Sequence, residues 1–450
     1  MKHTLAFLAF LIGILPLAGL ADISLPRIFG NHMVLQRETP VKVWGNADSG
    51  EKVSLKFGSR NFSATADEDG RWHIDLPALK ADGGKTHKMT IKGKNTIILE
   101  DILIGDVWIG SGQSNMEWSL NQSEGRDEFV KAANHPGIRL FHIPKKQFDT
   151  PQSDVNAEWK PCTSANIPRF SAVLYHFGKT IHEDQSVPVG LINSSWGGSP
   201  IEPWTVTDAG SGGMYNGMIA PIVEFPITGT IWYQGETNCI QKNGLAYTGK
   251  MRDLIEGWRR VFNNQSMPFY FVQIAPWSGG SYASGQLPAL WEAQCATLKI
   301  PHTGMAVTTD IVHNIGDIHP RNKHEVGARL ARWALAKHYR SQGVIYSGPL
   351  YKAMKIEGNA IRLAFAHSKG LKSSDGKSLS EFQIAGTDGQ FVDAEAKIVG
   401  DHVLVTAANI KQPSQVRFGW NKVANPNLVN GEGLPASPFQ TQNWTGGTGE

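Results

Sequence analysis

The stretch Gly112–Gln113–Ser114–Asn115–Met116–Glu117–Trp118 follows an apolar run, Asp106–Val107–Trp108–Ile109–Gly110–Ser111. Together they read as a buried strand that ends on a glycine-bearing turn with a hydroxyl at its tip. An open α/β sheet binds ligands outside the carboxyl ends of its strands, which is where it would carry a nucleophile. The turn alone decides nothing, because glycine and serine are also ordinary loop residues. The decision rests on whether other strand ends supply what a serine needs.

Three more blocks do. Asn193–Ser194–Ser195–Trp196–Gly197–Gly198–Ser199–Pro200 follows an apolar run from Val189. Trp232–Tyr233–Gln234–Gly235–Glu236–Thr237–Asn238 follows another from Gly229. Asp317–Ile318–His319–Pro320 precedes a helical pattern that begins near Lys323. Further strand candidates are 138–141, 269–274 and 305–308. Between them lies a clear amphipathic helix over 245–262, with Tyr247, Met251, Leu254, Ile255, Trp258, Val261 and Phe262 on one face. A second helix is expected over 323–339, with Val326, Leu330, Trp333 and Ala334 inward. Alternating strands and helices predict a parallel, doubly wound sheet over 101–342.

The flanks read differently. Residues 22–100 alternate apolar and polar side chains at 41–45, 52–57 and 72–76, with Asp69–Gly70 and Asp82–Gly83–Gly84 as turns. That predicts a small β-domain. Alternation returns over 343–450, at 361–365, 382–384 and 402–405, and predicts a second β-domain. Residues 1–21 form an expected secretory signal: Lys2 and His3, an apolar run over 5–17, then small residues up to Ala21. Export to the periplasm or medium follows. No other apolar stretch is long enough to span a bilayer, so no membrane anchor is expected.

The 450 residues carry a formal charge of +3 and no Lys/Arg cluster, which argues against a nucleic-acid partner. A near-neutral chain with 14 Trp and 48 Gly suits a carbohydrate surface. The three cysteines, Cys162, Cys239 and Cys295, have no zinc-site spacing and read as buried thiols or a single disulfide. No metalloprotease, Walker or Rossmann fingerprint appears in a supporting context, so neither metal nor cofactor is expected. No nucleophile elbow of the α/β-hydrolase kind is present either.

The four blocks complement one another. Serine is a weak nucleophile, and His319 can serve Ser114 as base. The imidazole needs an acceptor on its other nitrogen, from Asp317 or Glu236. A tetrahedral oxyanion needs preorganised donors. Candidates are the N–H of Ser114, the N–H of Gly197 or Gly198, and the Asn238 amide, with Gln113 and Gln234 as further polar contacts for oxyanion or substrate. Each block also has a bland alternative: a flexible turn at Gly197–Gly198, a structural carboxylate at Glu236, a helix-capping surface residue at His319.

Taken together, the blocks resemble the sialate O-acetylesterases, a branch of the SGNH (GDSL-like) serine esterases. The matching segments are GQSNM at 112–116, GLINSSWGG at 190–198, YNGMIAP at 215–221, WYQGETN at 232–238 and DIHPRNK at 317–323. MVLQR at 33–37 and EGLPASPF at 432–439 extend the likeness over nearly the whole chain. The resemblance implies a flavodoxin-like, three-layer parallel-sheet domain with flanking β-sandwich-like domains. It implies hydrolysis of acetyl esters on sugar hydroxyls, with Ser114 as nucleophile and His319 as base. Two departures stand out. The superfamily's acid usually lies three residues before the histidine, where this chain has Gly316; Asp317 lies two before. Its Gly-x-Asn-Asp block reads Gly235–Glu236–Thr237–Asn238 here. The acid is therefore Asp317 or Glu236, with Asp317 slightly favoured. The substrate is an acetylated sialic acid or, by the same chemistry, acetylated xylan or another plant or host glycan. A non-catalytic carbohydrate-binding protein is the alternative from another class.

Overall fold

The computed structural model describes residues 22–449. The expected signal segment lies outside them.

One strand organises the molecule. Thr96–Gly112 runs for 17 residues and is buried without interruption from Ile102 onward. Its first half pairs antiparallel with His87–Lys92 and parallel with Val34–Gln36. Its second half enters a central sheet between Val189–Ser195 and Gly229–Tyr233, parallel to both. Outward from it the sheet continues through Phe269–Val272 and Thr303–Ala306 on one side. On the other side Asn134–His142 is parallel, and Trp159–Thr163 closes the edge as an antiparallel strand. The core is thus a mixed α/β sheet, parallel except at one edge. The six strands expected from sequence all lie in it.

Helices cover both faces. Trp108 meets Phe177, and Gly110 lies directly under Leu174, so the helix Ala172–Gln185 covers one face. A Cβ at Gly110 would sit 2.8 Å from Leu174, which is why this close helix–strand contact takes glycine. Trp232, on the opposite face, meets Trp258 of the helix Tyr247–Val261. That helix buries Tyr247, Met251, Leu254, Ile255 and Trp258, the stripe its periodicity predicts. The expected helix over 323–339 is α-helical over Lys323–Trp333 and continues as a π-helical turn, Ala334–His338.

The flanking regions are β-rich, but they join the centre differently. The expected boundary at residue 100 falls inside the long strand. One contiguous apolar core also runs from Ile23 through the central sheet. Arg37 fastens this junction. Its guanidinium grips buried Asp106 through Nε at 2.8 Å and Nη2 at 3.1 Å. Residues after about 343 form antiparallel sheets around a core of their own, with Ile361, Leu363, Phe382, Ile384, Val403, Val416 and Phe439 among its members. Contacts that tie this region to the centre include Ser437 to Gln273, Thr445 to Glu292, and Lys422 to the carbonyls of Gly279 and Tyr282. All three cysteines are free and buried, so the disulfide reading falls. Among the described residues no helix is long and apolar enough to cross a membrane.

Candidate active site

The serine turn is shaped by its neighbours in the sheet. Gly112 sits between Ser195 and Tyr233 at φ 132°. A Cβ there would lie 2.2 Å from the Tyr233 carbonyl, so only glycine permits the turn. The chain then enters a single helical turn, Ser114–Glu117. Ser114 occupies its first position, where a backbone N–H has no acceptor within the helix.

His319 reaches this serine from far away in the chain. Its Nε2 lies 2.9 Å from Ser114 Oγ, across 205 residues of sequence. Trp118 stacks on the imidazole at 4.5 Å and 20°. Burial lowers the His319 pKa, the Lys323 ammonium lowers it further, and Asp317 partly opposes them. These influences favour the neutral ring, the form that can act as a base.

The two carboxylates expected near His319 have separated. Asp317 Oδ1 accepts the backbone N–H of His319 at 2.9 Å and lies 3.7 Å from its Nδ1. The latter is an electrostatic contact, too long for a hydrogen bond. The two-residue spacing explains both: the carboxylate folds back onto its own loop. Glu236 is 2% exposed and binds elsewhere. Its Oε1 accepts from Asn115 Nδ2 at 2.5 Å, and its Oε2 has no hydrogen-bond partner. Burial raises its pKa.

The expected oxyanion and substrate contacts also divide. Gly197 packs against the nucleophile; a Cβ there would stand 3.4 Å from Ser114 Cβ. Its N–H is already donated to Glu117 Oε2 at 2.6 Å. Gly198, at φ 78°, turns the chain across the crevice, where its carbonyl accepts from Thr237 Oγ1 at 3.1 Å. Asn238 does not face the serine. Its amide nitrogen donates to Glu202 at 3.1 Å and to Asn243 at 2.7 Å, and its oxygen accepts from Ile201 and Gln234. Gln234 is wholly buried in the same network, bonded to Gln113, Ser199, Asn238 and Tyr247. Gln113 Oε1 takes the N–H groups of Gly235 and Thr237, holding the two turns together. Asn238, Gln234 and Gln113 thus build the scaffold beneath the site. The N–H groups of Ser114 and Gly198 remain as oxyanion candidates.

Sequence reading gave no role to Glu117, Trp118, Asn115 or Lys323. Lys323 is the most informative of these. It is fully buried, and its Nζ donates to Asn115 Oδ1 at 2.5 Å. Its signal lay in the pattern: with Val326, Leu330 and Ala334 it falls on the apolar stripe of its own helix, where a lysine has no reason to be unless it has a partner.

Beside His319 opens a cleft of about 1120 Å³, with Trp118, Asp317 and Arg321 on its near wall. Glu124, Arg126, Asp127, Glu128 and His313 also line it, with neutral polar residues such as Asn121, Gln122 and Asn314 between them. Among the described residues no cluster of His, Cys, Asp or Glu is placed to hold a metal.

A serine–histidine pair recurs in unrelated hydrolases, so the pair alone does not name a family. The family model described as carbohydrate esterase, sialic acid-specific acetylesterase, matches residues 104–336. The chain belongs to this family. It is a carbohydrate O-acetylesterase, which sets aside the non-catalytic binding alternative. The enzyme is 31% identical to the sialate O-acetylesterase of Homo sapiens over 384 residues, 72% of this chain and 73% of that one. It is 25% identical to that of Rattus norvegicus, with 87% of this chain and 88% of the other covered. Among solved structures, a carbohydrate acetylesterase from Xanthomonas citri matches with a TM-score of 0.90 and 36% identity. That match covers 94% of this chain and all of the other. An esterase of this class takes an acetylated carbohydrate, and the serine and histidine blocks both fall inside the matched segment.

Proposed function

We propose that the enzyme removes acetyl groups from sugar hydroxyls through an acetyl-enzyme on Ser114, with no metal or cofactor. The observation that carries this is the 2.9 Å contact between His319 Nε2 and Ser114 Oγ. Ser114 Oγ attacks the acetyl carbonyl carbon while His319 Nε2 takes its proton. The N–H groups of Ser114 and Gly198 receive the developing oxyanion. The tetrahedral intermediate collapses, the sugar oxygen leaves with the proton from His319, and the acetyl group stays on Ser114. A water then gives its proton to His319 and attacks the acetyl carbon; the acetyl–Oγ bond breaks, Ser114 Oγ takes the proton back from His319, and acetate leaves. Asp317 stabilises the imidazolium that forms in both halves.

The SGNH arrangement, an N-terminal β-domain over 22–100, an esterase domain over 101–342 and a C-terminal β-domain over 343–450 belong to the same proposal. So do a signal over 1–21 and export to the periplasm or medium. The parallel sheet with helices on both faces supports the first of these. The likeness to sialate O-acetylesterases supports an O-acetylated sialic acid as substrate. A second reading, a neutral acetylated plant or host glycan such as acetylxylan, has an observation of its own. Glu124, Asp127, Glu128 and Asp317 outnumber Arg126 and Arg321 around the cleft. Both guanidiniums already lie near carboxylates, Arg126 at 3.4 Å from Asp127 and Arg321 at 3.9 Å from Asp317. Such a rim repels a carboxylate-bearing sugar.

The test is acetate release from O-acetyl sialic acid and from acetylated xylo-oligosaccharides by the wild type and by Ser114→Ala. Loss of release in the variant is expected on whichever substrate is turned over. Full turnover by Ser114→Ala would refute the serine mechanism.

A further inference from the structure

A buried network joins the serine turn to the histidine loop, and no step of the chemistry above uses it. Asn115, directly after the nucleophile, is fully buried. Its oxygen accepts from Lys323 Nζ at 2.5 Å. Its nitrogen donates both to Glu236 Oε1 at 2.5 Å and to the Ile318 carbonyl at 3.1 Å. Ile318 immediately precedes His319. One amide therefore touches three separate segments: the block after Tyr233, the loop that carries the imidazole, and the helix that follows it.

The arrangement admits one orientation of that amide. Lys323 can only donate, so it selects the Asn115 oxygen. A carboxylate and a carbonyl only accept, so they select the nitrogen and use both its hydrogens. Lys323 Nζ also lies 5.3 Å from the Tyr233 ring centroid and 5.9 Å from that of Trp118, the ring stacked on His319. A buried base and a buried acid, Lys323 and Glu236, hold a neutral side chain between them; burial brings the lysine pKa down to about 7 and pushes the carboxyl up. Removing either leaves the other without compensation, which is why such groups are strongly positioned once built.

We propose that Glu236, Asn115 and Lys323 act as a buried clamp whose role is to set the Ser114–His319 approach, with Glu236 a positioning residue and not the acid of the triad. The proposal rests on the serine-esterase reading above. It assigns a purpose to the glutamate that the sequence offered as a rival to Asp317, and to a lysine placed on an apolar stripe. It also places the Lys323 amine beside the Trp118 ring that stacks on His319, near enough to act electrostatically on the imidazole. The charged groups bearing on His319 are Lys323 and Asp317, of opposite sign. Lys323 in turn faces Glu236 and Asp317.

The experiment compares Glu236→Gln, Glu236→Ala, Lys323→Met and the double variant Glu236→Gln/Lys323→Met with wild type, each with a thermal melt as folding control. The readouts are kcat and KM for an aryl acetate across the acid limb. Glu236→Gln keeps an oxygen for Asn115, and its kcat should fall by no more than about tenfold, the scale of one weakened hydrogen bond. Glu236→Ala removes the acceptor, and kcat should fall by about 10- to 100-fold with KM little changed. Lys323→Met removes a cation beside His319, so the histidine pKa rises and the acid limb moves to higher pH. The double variant, which leaves no lone buried charge, should fold and still show that shift.

The proposal is overturned if Glu236→Gln loses activity as completely as Ser114→Ala, which would make the carboxylate charge itself essential. It is equally overturned if the folded double variant keeps wild-type kcat and an unmoved acid limb. Full turnover by Ser114→Ala in the same series would instead refute the serine reading, so the two failures are distinguishable.

Discussion

Replacing Asp317 with Asn isolates what its charge does. The Asn side-chain oxygen can still accept the His319 N–H that Oδ1 accepts at 2.9 Å, so the loop keeps its shape. What is lost is the attraction between a carboxylate and the imidazolium that forms when Ser114 gives up its proton. At the observed 3.7 Å this is worth about 4.5 kcal/mol at an effective dielectric of about 20, and about 1 kcal/mol at that of water. Asp317 is 29% exposed, so the true value lies between these bounds. At about 1.36 kcal/mol per power of ten, kcat should fall by roughly one to three powers of ten. KM should change little, because the imidazolium exists only along the reaction path. The sign of the pH effect follows from the same contact. Asp317 raises the His319 pKa, so its loss lowers that pKa and moves the acid limb of kcat/KM to lower pH. Lys323→Met is expected to move it the opposite way. Steady-state hydrolysis of an aryl acetate, with acetate release from the sugar ester alongside, measures all of this. The reasoning is refuted if Asp317→Asn retains wild-type kcat, or if its acid limb moves upward.

Other outcomes follow from single contacts. In Gly197→Ala the new Cβ would stand 3.0 Å from Glu117 Oε2 and 3.4 Å from Ser114 Cβ, so a shift of a few tenths of an ångström is needed. Since a 1 Å misplacement costs about 100-fold, kcat should drop by about tenfold or less with the melting temperature nearly unchanged. Lys422 holds the carbonyls of Gly279 and Tyr282 at 3.0 and 3.1 Å, and the same loop bonds Ile315 and Gly316 through Ser278 and Trp277. Lys422→Met should loosen this brace by about 1–3 kcal/mol, read as faster amide exchange over 313–319 and a lower kcat. Burial pushes the thiols of Cys162, Cys239 and Cys295 up to about 12. A thiol reagent should therefore label none of them in the native enzyme and all three after denaturation, counted by mass.

Several features were legible in the chain because they depend on local pattern. The helix Tyr247–Val261 buries the stripe its 3.6-residue period marks, and each central strand appears as a short apolar run that ends in turn residues. The extent of the strand Thr96–Gly112 was not legible. Its first half pairs in one sheet and its second half in another, and nothing local marks the change between Ile102 and Asp106. Asn238 misled for a different reason. A polar residue at a strand end reads the same whether it faces a substrate or a buried neighbour, and only the fold brings Glu202 and Asn243 to its amide. The Glu236 and Asp317 alternatives had the same origin. Both carboxylates lie near a strand end or the histidine in sequence, and sequence distance says nothing about which oxygen meets which nitrogen.

The amino-acid sequence by itself determined the parts: a hydroxyl at Ser114 on a glycine turn, an imidazole at His319 before a helix, and the sheet that would gather them. These follow from residue type and periodicity, which are properties of short segments. Tertiary structure alone decided the assembly. It set the 2.9 Å contact across 205 residues, turned the Asp317 carboxylate toward the histidine loop, and buried Glu236 and Lys323 around Asn115. Burial and partner geometry belong to the packed chain, and they separate a carboxylate that faces the imidazole from one that holds the scaffold.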